Sequence, residues 1–292
     1  MIGREDRRWF SDRVNIRIKV RPYFYLIIFL IFWLWGCASS LHKASLNLTR
    51  AQVLERSFQK ELAVAHYRKT LEEASREVRR KPGAQAYVLK GLAEFKLGQL
   101  PEASRSFSLA ASLGEDRSES WAREVSLYGL ALAFEQQGME YPASRLLTFL
   151  AEKGKFTPVV RASLGKLVDF RLKSLSKVSD REKDKILNDS VKLVEKVLNE
   201  DPACGFYHYL LSQLFSHQQR YLESFEEAVA ARELGLPSVE VFRDNDNQIV
   251  FCYQKLKQVL AGDELEQFSK NYKAWIKKWG WPDEETPDWK RR

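Results

Sequence analysis

Residues 90–114 read "KGLAEFKLGQLPEASRSFSLAASLG". Two helical patterns meet at Gly98, and a glycine inside a helical pattern marks a stop. On the second pattern Ala103, Phe107 and Ala110 fall at i, i+4 and i+7, on one helical face. On the first, Gly91 is the small residue. Small side chains where two helices cross let the backbones approach to the lower end of ~8–10 Å, and an aromatic ring one turn later fills the space beside them. The stretch therefore predicts a tight helical hairpin.

The same face recurs along the chain. "LAVAHYRKTLEEA" supplies Ala63, Tyr67 and Thr70, and "PASRLLTFLA" supplies Ala143, Leu147 and Leu150 after Gly138. "NDSVKLVEKVLNEDP" gives Ser190, Val194 and Val197 with a closing Pro202, and "LESFEEAVAARELG" gives Ser224, Ala228 and Ala231. The first member is Ala or Ser all five times, at intervals of 40, 40, 47 and 34 residues. Such self-similarity is the mark of a repeat architecture. The excess over the shortest interval falls in "REVRRKPG", "GEDRSES" and "SLSKVSDREKDK", expected as loops or helix extensions.

These residues resemble the tetratricopeptide repeat (TPR), a 34-residue helix-turn-helix with small, glycine, small, aromatic and small residues at the positions of Gly91, Gly98, Ala103, Phe107 and Ala110. The resemblance covers about residues 47–237 and implies an all-α, TPR-like α-solenoid of about five helix-turn-helix repeats. "NQIVFCYQKLKQVLAG" and "DELEQFSKNYKAWIKKWG" read as two amphipathic capping helices within 238–280, since the end of a solenoid needs a cover. Phe251, Leu256, Val259 and Leu260 would face inward on the first, and Leu265, Phe268, Tyr272 and Trp275 on the second. Residues 281–292 form a Pro-broken tail.

The resemblance also implies an inner wall built from the first helix of each repeat. Its expected lining is Val88, Leu92, Phe95 and Lys96 in the second repeat, Tyr128, Leu132 and Gln136 in the third, and Tyr209, Gln213 and His217 in the fifth. Aromatic residues with polar neighbours suit an extended peptide or a partner helix.

At the N-terminus, "YFYLIIFLIFWLWGCASS" spans residues 23–40. Its apolar core, Tyr23 to Trp35, is about 20 Å long as a helix against a bilayer core of about 30 Å. Seven Arg/Lys precede it against three acids, and small residues follow, as in a secretory signal. The end, Leu34-Trp35-Gly36-Cys37, resembles the lipobox of bacterial lipoproteins, with Trp35 departing from the small residue usual there. That resemblance implies a signal peptide at 1–36, acylation of Cys37 and a lipidated linker at 37–46. The rival reading is an uncleaved signal anchor in the inner membrane, because no charge occurs from Pro22 to Leu41.

The chain has 292 residues, 29% charged and 45% hydrophobic, within the globular range. Its net charge of +8 falls to +4 once residues 1–37 are set aside, which argues against nucleic-acid binding and for targeting. Chemistry-bearing motifs are few. Four histidines (His42, His66, His208, His217) lack metal-site spacing, and no phosphate loop or nucleophile elbow occurs. "RDNDNQ" at 243–248 begins like a calcium loop but lacks its glycine and distal glutamate, and reads as a helix-capping loop. Cys204 and Cys252 could pair in an exported protein or stay free and buried.

The expectation is a non-enzymatic, cofactor-free interaction scaffold, lipid-anchored in the cell envelope on the periplasmic face of the outer membrane, serving assembly, secretion or a pilus-type complex. The alternative is a periplasmic small-ligand-binding component associated with a transporter.

Overall fold

The computed structural model describes residues 39–114 and 120–280, with the side chain of residue 120 excepted. The lipobox-like motif, the apolar run before it, residues 115–119 and the tail from 281 lie outside the described residues.

Twelve α-helices follow one another in the described residues: α1 (Ser40–Arg56), α2 (Lys60–Arg80), α3 (Ala84–Lys96), α4 (Leu100–Leu113), α5 (Ser120–Gln136), α6 (Glu140–Lys153), α7 (Thr157–Ser174), α8 (Asp180–Glu200), α9 (Gly205–His217), α10 (Tyr221–Leu234), α11 (Val239–Val259) and α12 (Gly262–Trp279). Each odd helix packs against the even helix that follows it, and each even helix also packs against the next odd one, except α12, the last helix described. The odd helices touch one another in sequence, α1 to α3 and onward to α11. The result is a two-layer α-solenoid of helical hairpins, quasi-one-dimensional in its contacts. The two helices expected as a cap, α11 and α12, form a sixth pair. Residues 40–46, expected as linker, already belong to α1.

One turn builds four of the six hairpins. Phe58, Gly98, Gly138 and Gln219 adopt φ of 59°, 76°, 76° and 61°. The following residue then donates its N–H to the carbonyl five positions back: Gln59 to Leu54, Gln99 to Glu94, Met139 to Phe134 and Arg220 to Phe215, at 2.8–2.9 Å. This is the closing bond of a Schellman motif. The same residue's carbonyl accepts the first hydrogen bond of the next helix, from Ala63, Ala103, Ala143 and Ser224 respectively. The turn thus fixes the small residue as the fourth of each even helix and aims it at the seam. α7–α8 departs: a 3₁₀ segment (Leu175–Lys177) replaces the turn, and α8 runs ten residues before Ser190. That extension accounts for the 47-residue interval. The first excess segment, "REVRRKPG", is for most of its length the end of α2, a helix extension, and the second lies mostly outside the described residues.

All five small residues are buried, and so are Tyr67, Phe107, Leu147, Val194 and Ala228 one turn later. Around Phe107 the approach is tightest. A β-carbon at Gly91 would come within 2.8 Å of its ring, and one at Gly129 on α5 within 2.6 Å. Where the seam residue is serine, its hydroxyl is bonded. Ser224 donates to the Ser212 carbonyl at 2.7 Å, and Ser190 to that of Ile186 at 2.6 Å. Pro202, expected among the packing residues, is instead exposed in the α8–α9 turn, where its carbonyl accepts from His208.

The C-terminal pair packs through rings. Phe225 of α10 meets Phe268, Trp275 and Tyr272 at centroid distances of 5.0, 5.4 and 6.0 Å, and Tyr253 stacks on Tyr272 at 3.7 Å. The inward face of α11 is Ile249, Cys252, Tyr253 and Leu256. The expected Phe251 and Val259 are exposed, which corrects the face by about one residue. "RDNDNQ" is neither a calcium loop nor a cap but lies within α11, with Asp246 fully buried against Arg232 of α10.

Candidate functional site

The odd helices present one continuous wall, and the predicted lining residues divide on it. Val88 is buried among Ala84, Ala110 and Ala122, so it belongs to the seam and not to the wall: the start of α5 covers it. Leu92 and Phe95 are half-buried between neighbouring seams, and Lys96 reaches back to Glu55 of α1 at 2.8 Å. Lys96 and the Tyr67 hydroxyl together hold the Glu55 carboxyl below the usual range. Tyr128 and Tyr209 are half-buried, each with one flank on the largest core cluster. Leu132 and Gln213 are half-buried, and Gln136 and His217 exposed.

The central part of the wall contains residues that the sequence reading missed. Phe206 stacks beside Tyr209 at 6.0 Å, and its ring would come within 2.7 Å of a β-carbon on Gly165 of α7. Gln213 donates to the Tyr209 hydroxyl at 3.1 Å. On α7, Lys166 bridges back to Glu135 of α5 at 2.8 Å, and Lys173 pairs with Asp169 at 2.8 Å. Burial, with Asp244 and Asp169 nearby, pushes the Tyr209 phenol up to about 12, so it stays a neutral donor. Burial and Glu135 raise Tyr128 in the same way. The arrangement is a strip of aromatic flanks, neutral phenols and amides interleaved with paired charges. It offers shape and hydrogen bonds but no nucleophile–base pair. Gly129, Gly165 and Phe206 left only a faint signal, a glycine or ring on an odd helix, because each answers a residue of another repeat.

Two open clefts flank the wall. One of about 510 Å³ lies between the α7–α8 turn and the end of α9, with Asp180, Lys183, Asp184 and His217 among its residues. Although His217 is exposed, partial desolvation of its ring beside the cleft lowers its pKa. The other, about 350 Å³, sits beside Arg161, Cys204 and Gly205. No group of three or more metal-ligating side chains occurs among the described residues. The Cys204 and Cys252 thiols are free and lie in separate core clusters.

No protein-family model matches the chain, and no curated protein matches it by sequence. Several solved structures resemble it. The TPR-like repeats of a kinesin light chain from Podosopora anserina align at 17% identity over 66% of this chain and 96% of that one, with a TM-score of 0.47. PilF of Pseudomonas aeruginosa aligns at 12% identity over 79% and 98%, TM-score 0.45. Acl4, an assembly chaperone of RpL4 (residues 1–338), aligns at 16% over 83% and 92%, TM-score 0.43. The chain is a solenoid of TPR-like repeats. Its own turns and seams carry that statement.

Proposed function

We propose that this TPR-like chain is a protein-interaction scaffold whose odd-helix wall receives an extended or helical segment of a partner, and that it works tethered in a bacterial cell envelope. One observation carries the binding role. Tyr128, Phe170, Phe206 and Tyr209 each pack one flank on the core and leave the other partly open along a single wall. Rings held rigid on one side lose little entropy when a partner covers the other. The odd helices make direct contact in sequence, which supports reading their wall as the concave side of the stack.

The envelope role is supported by the basic leader, the apolar core and Cys37. No described helix is long and apolar enough to cross a membrane; in this reading the segment before α1 is the attachment. Roles in assembly, secretion or a pilus-type complex fit a tethered scaffold.

A photo-crosslinking amino acid tests the wall. Placed at Gln136 or Gln213 in the full chain in its native host, it is expected to trap one discrete protein. Placed at the exposed Arg105 or Lys192 on even helices, it should not. Equal trapping from both layers, or none from the wall, overturns the reading.

A further inference from the structure

Among the described residues, nothing covers one side of α1. Its inward face carries the buried Ala44, Leu48 and Ala51. Opposite, Lys43, Leu46, Arg50 and Val53 follow one another at spacings of three, four and three, a single helical stripe, and all four are exposed. One repeat on, the counterparts of Leu46 and Val53 are Ala86 and Ala93 of α3; two repeats on, they are Ser126 and Ala133 of α5. All four counterparts are buried, at most 3% exposed, whereas Leu46 and Val53 are 43% and 57% exposed. The stripe is therefore the surface that a preceding repeat would cover, and the described residues hold no such repeat.

Three features say what covers it instead. The first is position. Only Ala38 and Ser39 separate Cys37 from α1, and the apolar core of residues 23–35 ends two residues before that cysteine. Three residues span roughly 10 Å, so an anchored chain starts α1 at the bilayer surface. The second is charge. Lys43, Arg50 and Arg56 lie on α1, whose one acid, Glu55, is turned away onto Tyr67 and Lys96. Apolar side chains alternating with cations suit the interface of an anionic bilayer. The third is the far end. At Phe58 a phenylalanine takes the left-handed turn position that glycine fills at 98 and 138, and it is 89% exposed, with Leu62 beyond it at 56%. A strained, exposed ring in the turn that follows α1 adds an apolar edge to the stripe, which runs the length of α1, about 25 Å for its 17 residues.

We infer that this end face of the solenoid, Lys43, Leu46, Arg50 and Val53, together with the adjoining turn edge at Phe58 and Leu62, lies on anionic phospholipid, so that the bilayer takes the place of a preceding repeat and orients the stack. The inference rests on the anchoring proposed above. Its occupant is lipid and not a second copy, because the stripe is cationic along its length and would repel itself.

The test uses the full-length chain in vesicles containing either about one-third phosphatidylglycerol or phosphatidylcholine alone. A fluorescent amino acid replaces Val53, or the exposed Tyr141 at the start of α6 as a distant control, and brominated lipids serve as quenchers. Quenching at position 53 should exceed that at 141 several-fold in the anionic vesicles. It should fall to the control level in phosphatidylcholine and in the Lys43→Glu, Arg50→Glu variant, whose circular dichroism is expected to stay unchanged because both side chains are exposed. A chain that remains on sedimented vesicles with position 53 unquenched overturns the docking and leaves the anchoring standing. A chain that never sediments with vesicles overturns both. Shielding of position 53 that needs no lipid and grows with protein concentration shows a second copy there and likewise overturns the docking.

Discussion

The ring of Phe107 is clasped between Gly91 of α3 and Gly129 of α5. The two glycines serve the same purpose from different repeats: each removes a methyl so that one ring fills both seams. Gly129→Ala would place a β-carbon at 2.6 Å from the ring and within 3 Å of three of its atoms. The alternatives are to shift α5 or to turn Phe107 out of a fully buried site. Overpacking of this kind costs about 1–3 kcal/mol, more than the helix propensity that alanine regains. The denaturation midpoint of Gly129→Ala should therefore fall, and Phe107→Leu in the same chain should recover part of the loss, because the smaller side chain gives up the contested space. An unchanged midpoint would mean that the seam is looser than its geometry.

Within a hairpin, the sequence carried what local chemistry decides and hid what neighbours decide. Ala103 and Ala143 were legible because the turn at Gly98 or Gly138 fixes the residue five positions on. Gly129 was not, since its reason lies on α4. Val88 belonged to the wall by spacing, yet α5 covers it. Asp246 looked like loop chemistry, and only the contact with Arg232 explains a carboxylate inside α11. One inter-helix pair within a repeat has a measurable pH signature. His208 of α9 bonds Glu227 of α10 at 2.6 Å, and that bond raises the imidazole pKa above its ordinary 6.5, partly offset by burial. A raised folded pKa means stability that is fully present below pH 6.5 and lost as pH rises through the folded value. For this half-buried pair the gain is on the order of 1 kcal/mol. Urea midpoints of the parent and His208→Gln should differ at pH 5.5 and converge toward pH 8; a gap independent of pH would refute the linkage.

At the scale of the whole molecule, the ends of the stack are unlike. Among the described residues, the N-terminal end leaves the stripe of α1 uncovered, while the C-terminal pair closes through a cluster of rings. Because the helices touch their neighbours in the stack, stability is approximately a sum of local terms and need not be lost everywhere at once. Phe225 is the place to ask. Its ring meets Phe268, Tyr272 and Trp275 and is buried to 1% exposure. Truncation of a buried phenylalanine costs about 3–5 kcal/mol, and here it would fall on the contacts that hold α12. Amide hydrogen exchange of Phe225→Ala should accelerate by several orders of magnitude in α10 to α12. In α1 to α4, where no contact reaches the cluster, the rates should match those of the parent. A uniform acceleration from α1 to α12 would instead make the solenoid one cooperative unit. The bare N-terminal end would then draw its order from the distant ring cluster as much as from α2 and α3 beside it.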